Sequence, residues 1–256
     1  MVLDRKKFLR ITGLSAMGLA AKKAAGVFRV PFEPQAGSAG SHPVRRWAMV
    51  VDVRQCQKSA GCDRCIQACN RRHNIPTLDD KRHEVKWIWR AFFKDAFISE
   101  KSEFANAAFQ NKSVIVLCNH CDRPPCVQLC PTHATWKRDD GIITMDWHRC
   151  IGCRYCMAAC PYGARSFNWV DPRPHISELN IGFPTRARGV VEKCTFCADL
   201  INAGEQPACV IACESHALCF GDLRDPDSEA RRRLGSAFCI RRKAELGTVP
   251  QVYYVV

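Results

Sequence analysis

Cys150-Ile151-Gly152-Cys153-Arg154-Tyr155-Cys156-Met157-Ala158-Ala159-Cys160-Pro161 sets four thiols at gaps of two, two and three residues and closes on a proline. Its first three cysteines fall within about two helical turns and aim at one centre. Separate disulfides would each need their own partner at about 5.5–6 Å between Cα atoms, whereas a cubane iron–sulfur cluster uses such a cluster of thiols directly. In a C-x2-C-x2-C-x3-C-P run the fourth cysteine ligates the other cluster of a pair. Three further blocks stand on either side: Cys56/Cys62/Cys65/Cys69, Cys118/Cys121/Cys126/Cys130 and Cys194/Cys197/Cys209/Cys213. Sixteen of the eighteen cysteines are therefore in an internal repeat of four, the signature to look for before any other.

Four blocks imply up to four [4Fe-4S] clusters, a chain of one-electron carriers. Zinc sites show well-separated C-x2-C pairs or Cys/His mixtures, so a zinc-binding or structural cysteine-rich protein is the weak alternative from another class. The formal charge of +13 resembles a nucleic-acid signal. It counts thiols as neutral, and four clusters at about −2 each bring it to about +5. Arg54, Lys58, Arg64, Arg149, Arg154 and Lys193 lie in or beside the blocks and are candidates to offset that charge. No basic tract interleaved with stacking aromatics is present, so nucleic acid is not an expected partner.

The 256 residues allow one or two domains. Residues 1–25 read as an export leader. Arg5, Lys6 and Lys7 are followed by a weakly apolar run, Ile11 to Ala21, which is too short for a bilayer span. Asp4-Arg5-Lys6-Lys7-Phe8-Leu9-Arg10 resembles a twin-arginine signal with Arg-Lys for Arg-Arg. Such a route exports folded cargo, which suits clusters inserted in a reducing cytoplasm. The expected location is the extracytoplasmic face of the cytoplasmic membrane, with the cytoplasm as runner-up. Ala39 marks a cleavage candidate; retention of the leader as an anchor is the alternative.

Val114 to Leu117 reads as a strand, and Ala134–Arg138 with Ile142–Met145 as a hairpin about Asp139-Asp140-Gly141. Short helices are expected at the ligand cysteines. Residues 87–93, strongly aromatic, predict a strand and helix covering a cluster unit. Residues 170–188 predict a loop, Ser228–Leu234 a helix, and Val249–Val256 a closing strand. Cys219 and Cys239 are expected to be structural, because free cysteine is among the most buried residue types. His120, His133 and His216 read as residues of the cluster surroundings. Asp199 and Glu205 are acids with no visible partner. No catalytic motif is present: no G-x-G-x-x-G, phosphate loop, H-E-x-x-H or G-x-S-x-G.

Leu117-Cys118-Asn119-His120-Cys121-Asp122-Arg123-Pro124-Pro125-Cys126-Val127-Gln128-Leu129-Cys130-Pro131-Thr132 resembles the four-cluster ferredoxin-type iron–sulfur subunits of membrane oxidoreductases, of polysulfide, dimethyl sulfoxide and nitrite reductase type. Residues 149–165, Glu192-Lys193-Cys194-Thr195-Phe196-Cys197 with Pro207-Ala208-Cys209, and residues 246–254 carry the same resemblance, which covers about residues 47–256. A leader without a C-terminal membrane helix is most similar, within that family, to the exported iron–sulfur subunit of Hdr-like menaquinol oxidoreductases (the sulfite-reduction-associated Dsr membrane complex).

The resemblance implies an α+β fold of two nested ferredoxin-like two-cluster units. Residues 1–41 would be leader and linker, 47–112 plus 187–256 the outer unit, and 113–170 the inner one. It implies crosswise ligand sets: Cys56, Cys62, Cys65 with Cys213; Cys194, Cys197, Cys209 with Cys69; Cys118, Cys121, Cys126 with Cys160; Cys150, Cys153, Cys156 with Cys130. Five residues part Cys56 from Cys62 where two are usual, so Gln57–Gly61 must bulge outward, or that cluster is absent or a three-iron form. The implied function is a relay of single electrons between a multi-pass quinol/quinone subunit and a redox partner, with cytochrome c, cytochrome b and a second, heterodisulfide-reductase-like iron–sulfur subunit as companions. The wiring subunit of a molybdopterin reductase is the alternative. No catalytic residue of the chain's own is expected.

Overall fold

A computed structural model describes residues 45–59, 61–100 and 106–256; the export leader expected in residues 1–41 lies outside the described residues. The apolar run Trp47–Asp52 forms strand β1, whose middle four residues are buried, as a strand covered on both faces requires. It is interior to a four-stranded sheet ordered β8-β1-β10-β9, where β8 is Leu218–Asp222, β9 Cys239–Ile240 and β10 Val252–Val255. β10 runs parallel to β1 with Met49 opposite Val252, and β8 runs antiparallel with Val50 opposite Cys219. The closing strand starts at Val252, later than the sequence predicts, because Pro250 has no N–H for a ladder and Val249 is left-handed at φ +53°.

Three two-stranded sheets complete the β structure. β2 (Ile88–Phe92) pairs with β3 (Ser113–Leu117). β4 (Thr135–Lys137) pairs with β5 (Ile143–Met145), the predicted hairpin, whose turn contains Gly141 at φ +86°. β6 (Ser166–Phe167) pairs with β7 (Val191–Glu192). The helices are short: α1 (Val53–Lys58), α2 (Arg64–Arg72), α3 (Phe93–Ala96), α4 (Ala107–Gln110), α5 (Pro125–Gln128), α6 (Tyr155–Ala158), α7 (Ala198–Asn202), α8 (Ala208–Ile211) and α9 (Glu229–Ser236). One-turn helices have no stability of their own; caps and packing hold them. The Asp52 carboxylate caps α1 by accepting from Gln55 N–H at 2.8 Å. The mixture is the α+β ferredoxin-like fold.

The repeat is visible in the backbone. The residue just before the second cysteine is left-handed in all four blocks: Gly61 (φ +79°), His120 (+41°), Gly152 (+69°) and Phe196 (+56°). Block one keeps this feature despite its longer gap. Cys56 is carried on α1, which ends at Lys58; the expected bulge of Gln57–Gly61 includes Ala60, outside the described residues. At Gly152 a Cβ would stand 2.2 Å from the Gly189 carbonyl oxygen, so only glycine fits there. Three residues past the fourth cysteine, His133, Gly163 and His216 are again left-handed, and their N–H groups donate to the carbonyls of Cys130, Cys160 and Cys213 at 3.2, 3.3 and 2.9 Å.

The segments expected to form two units share one core. Met49, Trp87, Phe97, Ile115, Leu117, Phe196 and Tyr254 belong to a single buried cluster. The β2–β3 pair joins residues on either side of the 112/113 boundary, and β6–β7 joins residue 166 to residue 192. Among the described residues no helix is long and apolar enough to cross a membrane.

Candidate metal centres

All eighteen cysteines are free thiols, and sixteen of them assemble into four groups. Each group takes three cysteines from one block and the last from another. Cys56, Cys62, Cys65 and Cys213 line one cavity of about 130 Å³. Cys69 stands against Cys194, Cys197 and Cys209, close enough that each raises its pKa. Cys118, Cys121, Cys126 and Cys160 line a third cavity, and Cys130, Cys150, Cys153 and Cys156 a fourth. In chain order of their first cysteine these are groups I, II, III and IV. Among the described residues no three metal-ligating side chains converge on a single-ion site; the thiols ring cavities instead.

The groups form a line. Cys65 of group I faces Cys209 of group II, Cys194 of group II faces Cys118 of group III, and Cys126 of group III faces Cys156 of group IV. The interior of the line is closed: Cys194, Cys197, Cys209 and Cys121 are buried, whereas Cys62 of group I and Cys153 of group IV are exposed. Exposed Ile211 adjoins the first end, and exposed Ile151 and Tyr155 the other.

The donor set suits a cubane. Burial, the largest effect, pushes Cys65 and Cys121 up to about 12 and Cys197 to about 11, so without a compensating cation these sites favour the neutral thiol. A positively charged iron core supplies that compensation, as a metal does for any coordinating thiol. Cys130 goes the other way. Burial raises its pKa, but hydrogen bonds from Thr132, Ala134 and Thr135 outweigh it. Backbone N–H groups donate to the sulfurs, Phe196 to Cys194 Sγ at 3.4 Å and Val191 to Cys150 Sγ at 3.5 Å, and such hydrogen bonds help set a cluster's potential. Asn119 adds a buried carboxamide in the wall of group III; both of its polar ends lack a partner among the described residues.

The surroundings correct several expectations. Of the six basic residues singled out in the sequence, only Lys193 is buried; Arg54, Lys58, Arg64, Arg149 and Arg154 lie at the surface. There Arg64 pairs with Glu214, and Arg154 lies over Trp169 at 4.8 Å from the ring centroid. Of the three histidines only His120 is enclosed. It stacks on Phe196 at 3.6 Å between centroids and accepts Ile143 N–H at Nδ1, and burial, then Lys193, holds it well below the usual histidine range. His133 and His216 are exposed and serve through their backbone turns. Asp199, isolated in the sequence, pairs with Arg72. Cys219 packs with Val50 and Ala230 in a small core away from the groups, and Cys239 donates to Ala237 O at 3.3 Å.

Three residues went unnoticed in the sequence. Arg165 lines the group III cavity, and its reach depends on a turn after Cys160 that no spacing announces. Arg186 and Glu192 form a wholly buried pair at 2.7 Å. Trp87 Nε1 also donates to Glu192 at 2.9 Å, Arg186 donates to Asn74 O at 2.9 Å, and its guanidinium lies 5.5 Å from the Trp87 ring centroid. His73 packs on the same Trp87 with Nδ1 3.6 Å from the Cys69 sulfur, so this network sits directly behind group II. The alternation of charged and apolar residues around 186–193 was the one available signal.

Comparison with known proteins agrees with this chemistry. The 4Fe-4S dicluster domain family matches residues 112–174 and 178–223. The chain is similar to Hdr-like menaquinol oxidoreductase iron-sulfur subunit 1 of Archaeoglobus fulgidus, 39% identical over 99% of this chain and 98% of the relative. It is 35% identical to the menaquinone reductase iron-sulfur cluster-binding subunit of Nitratidesulfovibrio vulgaris, over 82% of this chain and 88% of that one. A polysulfide reductase polypeptide of Wolinella succinogenes is 33% identical over 82% of this chain and 94% of its own length. The chain carries multiple [4Fe-4S] clusters, and it belongs to the family of ferredoxin-type iron–sulfur electron-transfer subunits of menaquinol oxidoreductases and polysulfide- and dimethyl-sulfoxide-type reductases.

Proposed function

We propose that the chain is a four-station wire between a multi-pass quinol/quinone subunit and a redox partner, with groups I to IV as its four ligand sets. Each bound cluster supplies one-electron chemistry at a potential set by charge, hydrogen bonds and solvent exposure. The observation that carries the reading is the succession of the groups: neighbouring groups lie close enough to act on one another electrostatically through Cys65/Cys209, Cys194/Cys118 and Cys126/Cys156, and only the two end groups contribute exposed thiols. The chain's residues exclude water from the interior stations, hold the sulfurs at the ends of short rigid turns, and open each terminus at one edge. A two-electron quinol is thereby served one electron at a time. The outer and inner units of residues 47–112 plus 187–256 and 113–170 supply two stations each. The family resemblance supports an extracytoplasmic site after export, with cytochrome c, cytochrome b and a heterodisulfide-reductase-like subunit as companions.

Anaerobic purification of the full chain, separated from its companion subunits, tests this. About sixteen iron and sixteen acid-labile sulfide per chain are expected, four cubanes of four. A count near twelve would leave group I without a cubane, and an iron-free chain would overturn the reading. Co-purification of a quinone-binding subunit with cytochromes supports the partner assignment; a large molybdenum subunit in their place favours the wiring of a molybdopterin reductase.

A further inference from the structure

We propose that Arg165 and Lys193 are the potential-setting residues of this wire, two fixed positive charges buried at its inner junctions that make group III the station most strongly favoured for reduction by the protein. The inference rests on the four-station reading above and goes beyond it by naming which residues tune which stations.

Lys193 is buried, and its ammonium has no carboxylate partner among the described residues. Nζ donates to the carbonyls of Ile143 and Cys194, the latter at 2.7 Å. It lies near Cys194 of group II and Cys118 and Cys126 of group III, at the II/III junction. Arg165 is likewise buried. Its Nη2 donates to Thr135 Oγ1 at 3.0 Å, and that hydroxyl in turn donates to Thr144 O at 2.8 Å, so the guanidinium is anchored from the hairpin β4–β5. Its Nη1 donates to Met145 Sδ at 3.8 Å, and the guanidinium charge acts on Cys126 of group III and Cys156 of group IV, which places it at the III/IV junction.

A buried cation without a neutralising acid is costly unless an anion faces it, and here the only anions that can do so are the thiolate-bearing stations. Low local dielectric strengthens such an interaction and distance weakens it. Group III meets both cations, groups II and IV one each. The buried Arg186 is neutralised by Glu192; at group I, Arg64 is exposed and paired with Glu214, and Arg90, which donates to Cys62 O and acts on Cys56, is only half-buried. Reduction adds one negative charge to a station, so a cation beside it favours the reduced state. The tuning by buried cations is therefore graded along the wire: strongest at III, intermediate at II and IV, and weakest at I, where solvent screens the half-buried Arg90.

The test is an electron-paramagnetic-resonance redox titration of the full anaerobic chain, with iron and sulfide counted on the same samples. Arg165→Met is expected to lower the potentials of two stations, and Lys193→Met of two, with one station, group III, common to both sets. At fixed ambient potential the reduced-to-oxidised ratio at group III should fall at least tenfold, about 59 mV for one electron. Group I, identified by the signal lost in Cys62→Ser, should not move. Arg165→Lys, which keeps the charge, should restore most of the shift, and Arg165→Gln, which keeps a donor without charge, should not. Fully loaded variants with unmoved potentials, or an equal shift at all four stations, would overturn the inference while leaving the relay intact. Neutral variants that never load beside a loaded Arg165→Lys would make the charge an assembly requirement and also overturn it. An iron-free wild type would instead overturn the four-station reading itself.

Discussion

Cys213 shows most sharply what a single residue does here. It lies four positions beyond Cys209, yet it lines the cavity of Cys56, Cys62 and Cys65 while Cys209 faces Cys69. The short helix α8 and the turn after it carry the two thiols to different sites. Cys213→Ser is therefore expected to remove the group I cluster and spare the one beside Cys209. Iron should fall by about four per chain, with one resonance lost and the group II signal kept. Loss of the group II signal in this variant would show the thiols to be partnered within their own block. Lys193 and its neighbour Cys194 make the same point: one side chain is a buried charge and the next is a ligand candidate.

At the scale of elements, strand β7 holds the structure behind group II together. Val191 pairs with Phe167, and the following Glu192 is the acceptor for Trp87, Arg186 and Asn168. All of these partners come from different segments. Replacing one member of a wholly buried ion pair leaves the other charge stranded, which costs about 3–5 kcal/mol. Arg186→Met is thus expected to lower stability by about that much and to free the His73–Trp87 stack that backs Cys69. Arg186→Met with Glu192→Gln should recover a large share of the loss, since no bare charge remains. The rate of cluster bleaching at fixed temperature measures both, because a cluster-bearing chain does not unfold in a simple two-state transition. Equal bleaching in wild type and Arg186→Met would contradict the assigned role of the pair.

For the whole molecule, the nested arrangement has a cost in autonomy. A two-cluster ferredoxin folds alone, and residues 113–170 contain two complete cysteine blocks. In this chain, however, β3 finds its partner in β2 and β6 finds its partner in β7, both outside that range, and Ile115 and Leu117 complete their core with Trp87, Phe97 and Tyr254. Expressed alone, residues 113–170 are expected to retain no stable clusters, with exposed strand edges that invite association. A brown, soluble, iron-loaded fragment would show the inner unit to be independent after all.

Much of this was legible from local spacing. The four blocks, the hairpin about Gly141 and the strand before Cys118 each depend on residues within about twenty positions of one another, and local turn chemistry follows from composition at that range. The irregular first block was also legible as irregular, though spacing alone could not say that α1 would carry Cys56 into line. What tertiary structure decided lies at long range: that Cys213 stands with Cys56, that the groups follow one another in a line with exposed ends, and that Arg165 and Lys193 end up between stations while five other basic residues reach solvent. The physical reason is that a thiol's identity and its neighbours in sequence determine whether it can bind metal, whereas its partners, its burial and the charges facing it are set by strand pairing and core packing between segments far apart in the sequence, from Arg165 and Thr135 to Cys56 and Cys213.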